Sequence, residues 1–181
     1  MDEIKRIHRE RVYRGHIVDF YEDDMLLPDG RIEKFDFIGH KGAAACLAEL
    51  EPGKLLMVRQ FRNALDRHTL EIPAGGLSSV DERTKDCAMR ELEEETGYKA
   101  VDADVEFLLR IKTTVAFCNE NIDVYFAKNL TKTTQHLDDD EYVDVEVWEI
   151  EKLLEMIYAG DIQDSKTVAS LLAYYNKFYN K

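Results

Sequence analysis

The first part of the chain alternates between apolar and polar residues in short runs separated by turn residues. Alternating runs cover residues 9–20, 23–27 and 32–38, and the turn segment LPDG lies between the second and the third. Two strongly apolar runs, AAACLAEL and KLLMVRQF, flank a Glu-Pro-Gly turn, and a shorter run covers residues 69–72. Such runs, bounded by turn residues, are typical of strands. They predict antiparallel strands and hairpins, with two core strands around the Glu-Pro-Gly turn.

The second part of the chain mixes helical and strand-like patterns. Helical spacing covers residues 81–96, and Gly97 follows where a left-handed C-terminal cap is favoured. Strand-like runs cover 105–114, 121–127 and 143–150, and two helical patterns, 150–158 and 165–178, complete the sequence. This order predicts a mixed α+β fold in which helices pack on a central mixed β-sheet.

Length and hydropathy limit the class of protein. A chain of 181 residues is long enough for one domain with a substantial core. No apolar run approaches the length of a membrane span, and the charged first ten residues lack the apolar stretch of a signal peptide. We therefore expect a cytoplasmic protein that does not bind a membrane.

The charge and the cysteines exclude further classes. The formal net charge is -13 and the isoelectric point about 4.8. Because nonspecific nucleic-acid binding depends on neutralising backbone phosphates, we expect no nucleic-acid partner, and any phosphate site needs a local cation. Cys46, Cys87 and Cys118 are odd in number and widely spaced, which favours free thiols over a disulfide framework or a zinc knuckle.

The first predicted helix ends in a concentration of glutamates. With Glu91 set at zero, Glu95 lies at about 40° and Glu94 at about 300°, whereas Glu93 lies on another side at about 200°. Like charges at this spacing destabilise a helix unless something offsets them. The three clustered carboxylates form either a solvated face or a site for a hard divalent cation.

Two neighbouring charges bear on this cluster. Arg90 precedes Glu94 by one helical turn and is expected to pair with it, which would hold that carboxylate in place. An ideal helix places Glu82 about 180° from Glu91, so Glu82 is expected to stay apart from the cluster, near the helix start.

The spacing of charged and glycine residues around this helix is more specific than its charge. The segment GGLSSVDERTKDCAMRELEEETGY resembles the signature of the Nudix hydrolases, with Tyr98 where the family usually has an aliphatic residue. The matching positions are Gly76, Glu82, Arg90, Glu91, Leu92, Glu94, Glu95 and Gly97. The resemblance implies an α/β/α sandwich that uses Mg2+ or Mn2+ to hydrolyse a diphosphate linked to another moiety.

The resemblance also implies roles for individual residues. Glu91, Glu94 and Glu95 would be metal ligands, and Glu94 and Glu95 are thereby catalytic as well; the main-chain carbonyl of Ala74 would contribute to the same site. The two glycines that open the signature would let the loop approach the helix and the substrate closely. Oxygen ligands suit Mg2+, which neutralises diphosphate oxygens and lowers the pKa of an attacking water.

Three segments outside the signature, LLMVRQFR, LEIPAGG and DSKTVASLL, resemble the subfamily that cleaves ADP-ribose and related nucleoside diphosphate sugars. In that subfamily the N-terminal strands pack or exchange across a twofold axis. The resemblance implies a homodimer, with residues 1–40 as an N-terminal β-strand region at the interface and residues 41–181 as the Nudix hydrolase domain. ADP-ribose hydrolases commonly carry a proline where this chain has Val115, which favours a different nucleoside diphosphate sugar.

The same segments supply candidates for substrate binding. Arg59 and Arg62 would bind phosphate, and Glu71 would contact adenine or metal-bound water. The alternatives are a pair of surface arginines and a strand-end carboxylate that bonds the loop backbone. The further candidates for substrate binding are Gly76, Phe117 and Glu120.

The general base is expected on the acidic loop HLDDDEYVDVEVWEI. In the resembling subfamily this base is typically a glutamate on a loop far from the signature, so Glu141 is the first choice, with Asp139 or Asp140 as alternatives. A solvated acidic turn is the other interpretation of this loop.

The leading hypothesis is a Mg2+-dependent hydrolase that cleaves ADP-ribose or a similar nucleoside diphosphate sugar into a nucleoside monophosphate and a sugar phosphate. One alternative is a Nudix hydrolase of nucleoside triphosphates or dinucleoside polyphosphates. Another is a sensor that binds ADP-ribose without cutting it, although the complete set of Glu91, Glu94 and Glu95 argues against a pure binder.

Overall fold

A computed structural model describes residues 3–139 and 141–180, and strands dominate the first two thirds of the chain. The strands are β1 (Lys5–Arg14), β2 (Asp19–Leu26), β3 (Ile32–Gly39), β4 (Ala43–Glu51), β5 (Lys54–Arg62), β6 (Arg67–Glu71), β7 (Ala74–Gly76), β8 (Tyr98–Lys99), β9 (Val105–Lys112), β10 (Asn121–Ala127), β11 (Thr131–Lys132) and β12 (Val143–Glu149). The helices are α1 (Thr84–Thr96), α2 (Ile150–Ala159) and α3 (Ser165–Tyr174), with short helical turns at Asp102–Asp104 and Tyr175–Tyr179.

The N-terminal strands form a separate antiparallel sheet in the order β1-β2-β3. The run of residues 9–20 contains the turn of a hairpin: it includes the end of β1 and the start of β2, which pair antiparallel. Gly15 closes that turn by donating its N–H to the carbonyl of Val18 at 3.0 Å. A Cβ at Gly15 would lie 2.5 Å from the same carbonyl oxygen, so the turn needs glycine there.

The central sheet has the order β12-β5-β4-β10-β9, with β6 paired to β5 and β7 paired to β4. Strand β10 runs parallel to β4 while the other pairs are antiparallel, so the sheet is mixed as predicted. Alternate residues of β4 and β5 point to opposite faces. Leu47, Leu55 and Met57 pack with α2 and α3, while Cys46 and Leu56 pack with α1. Helices therefore cover both faces, which makes an α/β/α sandwich of the α+β class.

Helix α1 begins three residues later than its pattern suggested. Glu82 lies in the turn before the helix, where its carboxylate accepts the N–H of Ser78 at 2.7 Å and the Nε–H of Arg90 at 3.3 Å. Glu82 thus lies near the helix start, as expected, but its bond from Arg90 connects it to Glu91 and Glu94, because residues outside the helix do not follow its angular spacing. The other end agrees with the prediction: Gly97 is left-handed, with φ of 68°, and donates its N–H to Glu93.

The two C-terminal helices occur where their patterns indicated, although α3 gives way to a turn of π-helix over Tyr175–Tyr179. The rings of Phe126 and Phe178 stack there at 4.6 Å between centroids, which fixes the tail against the central sheet. In the described residues no helix is long and apolar enough to cross a membrane.

A buried carboxylate links the start of α1 to the central sheet. Asp123 on β10 is 3% exposed and accepts hydrogen bonds from Arg110 at 2.5 and 2.8 Å and from the hydroxyl of Thr84 at 2.8 Å. The hydrogen bonds from Arg110 lower the pKa of Asp123. Since a depressed pKa stabilises the fold only while the group is ionised, this contribution exists above the unfolded pKa and disappears as the pH falls through the folded pKa.

Asp123→Asn is expected to lower the free energy of unfolding by about 2 kcal/mol at neutral pH, because it removes a charged acceptor of three hydrogen bonds. The difference from wild type should shrink as the pH is lowered below about 4, where the aspartate of the unfolded chain becomes protonated, and disappear once the pH falls below the depressed pKa of Asp123 in the folded protein. Urea unfolding monitored by circular dichroism at several pH values measures this difference. A constant difference down to pH 2 would show that the charge of Asp123 does not stabilise the fold.

Candidate active site

The last two turns of α1 bring Arg90 and two glutamates together. Nη1 of Arg90 lies 2.6 Å from Oε1 of Glu91 and 2.8 Å from Oε2 of Glu94, so the predicted pair with Glu94 is confirmed and a second carboxylate joins it. Burial raises the pKa of Glu91, whereas the charge of Arg90 acts in the opposite direction. One guanidinium therefore offsets the repulsion between two neighbouring carboxylates.

The turn before α1 approaches this cluster so closely that only glycine fits at one position. A Cβ placed on Gly75 would lie 2.1 Å from Cδ of Glu91 and within 2.3 Å of both its carboxylate oxygens. A Cβ on the adjacent Gly76 would meet nothing within 4 Å. The two glycines of the signature therefore differ: Gly75 makes room for a carboxylate, while Gly76 faces open space.

Glu95 occupies a different position from its two neighbours. Its side chain is 2% exposed, and Oε2 accepts the backbone N–H of Ala74 at 3.0 Å. Burial raises the pKa of Glu95 to about 8, although the hydrogen bond from Ala74 acts in the opposite direction. This contact ties the end of α1 to strand β7, in which Ala74 pairs with Ala45 of β4; β7 and the residues just after it are here called the β7 turn.

The acidic loop is held over the end of α1 by the carbonyl groups that every helix leaves unpaired at its C-terminus. The N–H of His136 binds the carbonyl of Glu94 at 2.9 Å, and the amide of Gln135 binds the carbonyl of Glu95 at 2.7 Å. The N–H of Thr133 binds the carbonyl of Gly97 at 2.7 Å. These contacts carry the loop towards Glu141, whose N–H binds the carbonyl of Asp138 at 3.0 Å.

Two adjoining cavities lie on either side of Gly75 and Gly76. The smaller, here called the carboxylate pocket, measures about 300 Å3 and is lined by the β7 turn, the end of α1 and the acidic loop. The larger, here called the side cavity, measures about 620 Å3 and lies between the β7 turn, β6 and the start of α3. Gly75 and Gly76 line both. The carboxylate pocket is lined by Gly75, Gly76, Ser78, Arg90, Glu91, Glu94, His136, Asp138 and Glu141.

The candidate base Glu141 lies in this pocket together with Glu91 and Glu94. Of the two alternatives, Asp139 is not among the lining residues, and Asp140 lies outside the described residues. Asp138 is part of the lining although its sequence position alone did not single it out.

The two candidate arginines lie on opposite faces of β5. Arg59 makes two hydrogen bonds to Glu146 on β12 and lines neither cavity. Arg62 lines the side cavity and holds Glu71 through two hydrogen bonds of 2.8 and 2.6 Å. Because side chains alternate along a strand, two residues separated by an odd number of positions cannot share a face.

The remaining substrate candidates divide between the side cavity and its surroundings. Glu71, Gly76 and Glu120 line the side cavity, and so does Ala74. Glu120 approaches Nδ1 of His40 at 3.3 Å. Phe117 lies apart from both cavities, in a surface hollow with Phe20 and Phe35. Its carbonyl accepts the N–H of Ile38, which attaches this loop to β3.

The donor chemistry of the carboxylate pocket fits a hard divalent cation, since carboxylate oxygens are the ligands that Mg2+ prefers. The room left for Glu91 by Gly75, and the gathering of Glu94 and Glu141 around the same space, are the observations that support this fit. In residues 3–139 and 141–180, no three acidic, histidine or cysteine side chains are close enough to hold a metal ion as they stand. Arg90 supplies the countercharge to Glu91 and Glu94, so a bound cation would require these contacts to rearrange.

Some residues that line the two cavities were not predicted as functional from sequence. His136 and Asp138 line the carboxylate pocket, and Lys166 lines the side cavity from the start of α3. Histidines without ligand spacing carry no signal, and the acidic loop offered several equivalent carboxylates. For Lys166 a signal existed, because it belongs to the segment DSKTVASLL that carries part of the subfamily resemblance.

Gly97→Ala is expected to destabilise the protein by about 1 to 2 kcal/mol. A positive φ is unfavourable for alanine, and its Cβ would lie 2.9 Å from the backbone nitrogen of Gln135. The clash lies in the segment that leads to Glu141, so activity should fall as well. Thermal unfolding and steady-state kinetics measure the two effects. Gly30→Ala, also at a positive φ but with nothing within 4 Å, is the control: it should lower stability without lowering activity.

The chain resembles known proteins in sequence and in fold. Residues 39–171 match the NUDIX domain. An ADP-ribose pyrophosphatase of Bacillus subtilis (strain 168) is 36% identical over 171 residues, covering 93% of this chain and 91% of that protein. A methanol dehydrogenase activator of Bacillus methanolicus is 38% identical with the same coverage of both chains.

A solved structure described as the crystal structure of an ADP compounds hydrolase superimposes with a TM-score of 0.83, covering 98% of this chain and 97% of its own. Because only 16% of residues are identical, that likeness bears on the fold, where it confirms the predicted sandwich. The domain match covers well over half of the chain and contains α1, the β7 turn and the acidic loop. The chain belongs to the Nudix family of pyrophosphohydrolases.

Proposed function

We propose that this protein hydrolyses the diphosphate bond of ADP-ribose or a similar nucleoside diphosphate sugar, using Mg2+ or Mn2+, and releases a nucleoside monophosphate and a sugar phosphate. The observation that carries the proposal is the carboxylate pocket, in which Glu91, Glu94 and Glu141 converge beside a second cavity able to take the group attached to the diphosphate. The ADP-ribose pyrophosphatase of Bacillus subtilis, similar over nearly the whole chain, supports the same substrate class.

The residues in and around the carboxylate pocket have different proposed roles. Glu91 and Glu94, with Glu95 behind them, would hold the divalent cation, and the main-chain carbonyl of Ala74, a residue whose N–H binds Glu95, would contribute to the same site. A bound divalent cation would neutralise diphosphate oxygens and lower the pKa of the attacking water. Glu141 lines the same pocket, on a loop whose N-terminal side is anchored to α1. Its carboxylate would accept the proton of that water as general base.

Arg90 and Arg62 would supply the positive charge that the phosphates need. Arg90 lines the carboxylate pocket, where its guanidinium can turn from Glu91 and Glu94 to a phosphate oxygen when a cation takes over the carboxylates. Arg62 lies at the border of the side cavity. Arg59, bound to Glu146 outside both cavities, would need a rearrangement to reach the substrate.

A panel of substrates tests the proposed function. Purified protein is incubated with ADP-ribose, other nucleoside diphosphate sugars, ATP and a dinucleoside polyphosphate, with Mg2+, Mn2+ or EDTA, and products are identified by chromatography. We expect cleavage of at least one diphosphate sugar to a monophosphate and a sugar phosphate, and none in EDTA. Failure of every diphosphate under every metal would refute the enzyme proposal, and preferential cleavage of ATP would favour the triphosphate alternative.

We also propose a homodimer assembled through residues 1–40. The β1-β2-β3 sheet exposes large apolar side chains that a monomer would leave in water. They include Ile7 at 52%, Tyr13 at 67% and Ile32 at 57% exposure, and Ile17, in the turn between β1 and β2, is 83% exposed. Light scattering after size-exclusion chromatography should give twice the chain mass, and a monomer at working concentration would rule the shared interface out.

A further inference from the structure

Gln135 joins the two ends of the acidic loop at a point here called the neck of the loop. Its side-chain amide donates to the carbonyl of Glu95, in the last turn of α1, at 2.7 Å, and to the carbonyl of Val143, the first residue of β12, at 3.1 Å. These two acceptors match the two N–H bonds of a primary amide. One side chain therefore connects the start of the loop, the end of the helix and the strand to which the chain returns.

The backbone on either side of Gln135 is attached to the same helix end. The N–H of Thr133 binds the carbonyl of Gly97, and the N–H of His136 binds the carbonyl of Glu94. Gly97 allows this close approach, since a Cβ there would lie 2.9 Å from the backbone nitrogen of Gln135. The start of the loop thus caps the helix that carries Glu94, and the loop and the helix hold each other in place.

The tip of the loop depends on this neck. Among the described residues from 137 to 142, the hydrogen bonds are local: the N–H of Glu141 binds the carbonyl of Asp138 at 3.0 Å, and the N–H of Asp138 lies 3.4 Å from Oε2 of Glu141. These bonds shape the tip but do not attach it to α1 or to the central sheet. The place of Glu141 in the carboxylate pocket is therefore set where Gln135 closes the neck.

The surroundings of this amide require a donor that carries no negative charge. The C-terminal end of a helix has a partial negative charge, and the carboxylate of Glu95 is buried close by. A carboxylate at position 135 would face two carbonyl oxygens without any proton to share, and an apolar side chain would remove this donor from both carbonyls. Glutamine binds both of them and adds no charge beside the pocket.

We propose that Gln135 is a positioning residue of the reaction, which holds the Glu141 carboxylate in the pocket by closing the neck of the acidic loop. This inference rests on the proposed function and deepens it, because it names the side chain that places the general base. Gln135 itself lines neither cavity, so it acts through Glu141 and not on the substrate.

Steady-state kinetics of Gln135→Met tests this role, because methionine has a similar length but neither donor. For the diphosphate substrate that wild type cleaves, kcat is expected to fall about thirtyfold, while KM and the half-saturating Mg2+ concentration stay within about twofold. A loosened helix end would instead displace Glu94 and raise the Mg2+ requirement. The comparison of kcat with the Mg2+ requirement therefore distinguishes a misplaced base from a misplaced metal ligand.

A double-mutant cycle with Glu141→Gln shows whether Gln135 acts through the base. In the Glu141→Gln background, Gln135→Met should change kcat by less than about twofold, because a loop without its carboxylate gains nothing from correct placement. The proposal would be overturned by the full loss in that background, by an unchanged kcat in Gln135→Met alone, or by a rise in the Mg2+ requirement as large as the loss in kcat.

Gln60→Met is the matched control. Gln60 is also a partly buried glutamine, it lies opposite Val143 on β5, and it lines neither cavity. The same substitution there should leave kcat and KM within about twofold of wild type, and a loss equal to that of Gln135→Met would count against a specific role of the neck. If Gln135→Met does not fold, Gln135→Asn keeps the amide but is one methylene shorter, and it should show the same pattern with a smaller loss.

Hydrogen exchange, measured without substrate or metal, separates this proposal from the proposed function. The amides of the loop, residues 133–143, should exchange faster in Gln135→Met than in wild type, whereas those of α2 and α3 should not change. Faster exchange in a protein that cleaves no diphosphate would support the neck and refute the hydrolase. Wild-type exchange of the loop in a Gln135→Met protein, together with hydrolysis by wild type, would support the hydrolase and refute the role of Gln135.

Discussion

Glu94→Gln is expected to lower kcat/KM for the diphosphate substrate roughly a thousandfold, which corresponds to about 4 kcal/mol of lost transition-state stabilisation. The side chain is 39% exposed at the pocket, so an isosteric amide should fit without disturbing the fold. The loss arises because an amide oxygen carries no charge with which to hold a hard cation. Initial rates over a range of Mg2+ concentrations measure it, and the half-saturating Mg2+ concentration should rise.

Glu93→Gln is the matched control for this variant. Glu93 is adjacent to Glu94 on α1 but points to another side of the helix and lines neither cavity. Both substitutions remove one charge from the same turn, so a general electrostatic effect would appear in both. Near-normal turnover by Glu94→Gln would refute its assignment as a metal ligand, and an equal loss in Glu93→Gln would indicate that net charge, not position, matters.

Gly75→Ala is expected to lower kcat/KM about a hundredfold, because its Cβ would occupy the space of the Glu91 carboxylate. Glu91 must then leave its position, and with it one proposed metal ligand and one contact of Arg90. Steady-state kinetics at saturating Mg2+, together with thermal unfolding, separate a displaced carboxylate from a general loss of stability.

Gly76→Ala provides the comparison, since the adjacent Cβ would meet nothing within 4 Å. We expect it to retain at least tenfold more activity than Gly75→Ala. Equal losses in the two variants would show that the turn needs glycine for a reason other than the space it leaves for Glu91.

Local sequence patterns predicted the features that depend only on residues close together in the chain. Gly97 was predicted as the left-handed cap of α1 because few other residues adopt that conformation cheaply, and it has a φ of 68°. Arg90 and Glu94 were predicted to pair because residues one turn apart are neighbours on any helix. The strand pattern did not reveal the turn at Gly15. That turn is marked by a single glycine inside a run of strand-like residues.

In the candidate site, too, spacing along the chain predicted some side-chain positions and not others. Glu91 and Glu94 lie at the pocket as the helical spacing indicated, but Glu95, only about 40° away, is buried against the backbone of Ala74. Angular spacing describes a helix in isolation, whereas the depth of each side chain depends on the turn that packs against it. The alternation of a strand, by contrast, already implied that Arg59 and Arg62 point to opposite faces of β5.

The sequence by itself determined the family signature, the α+β class and the concentration of carboxylates at the end of α1, because each depends on short-range spacing along the chain. Only the tertiary structure decided which residues share a cavity. It placed the acidic loop over the unpaired carbonyls of α1 and joined Lys166 to Glu71 across 95 positions of sequence. Such contacts follow from the packing of whole elements on the sheet, which no local pattern encodes.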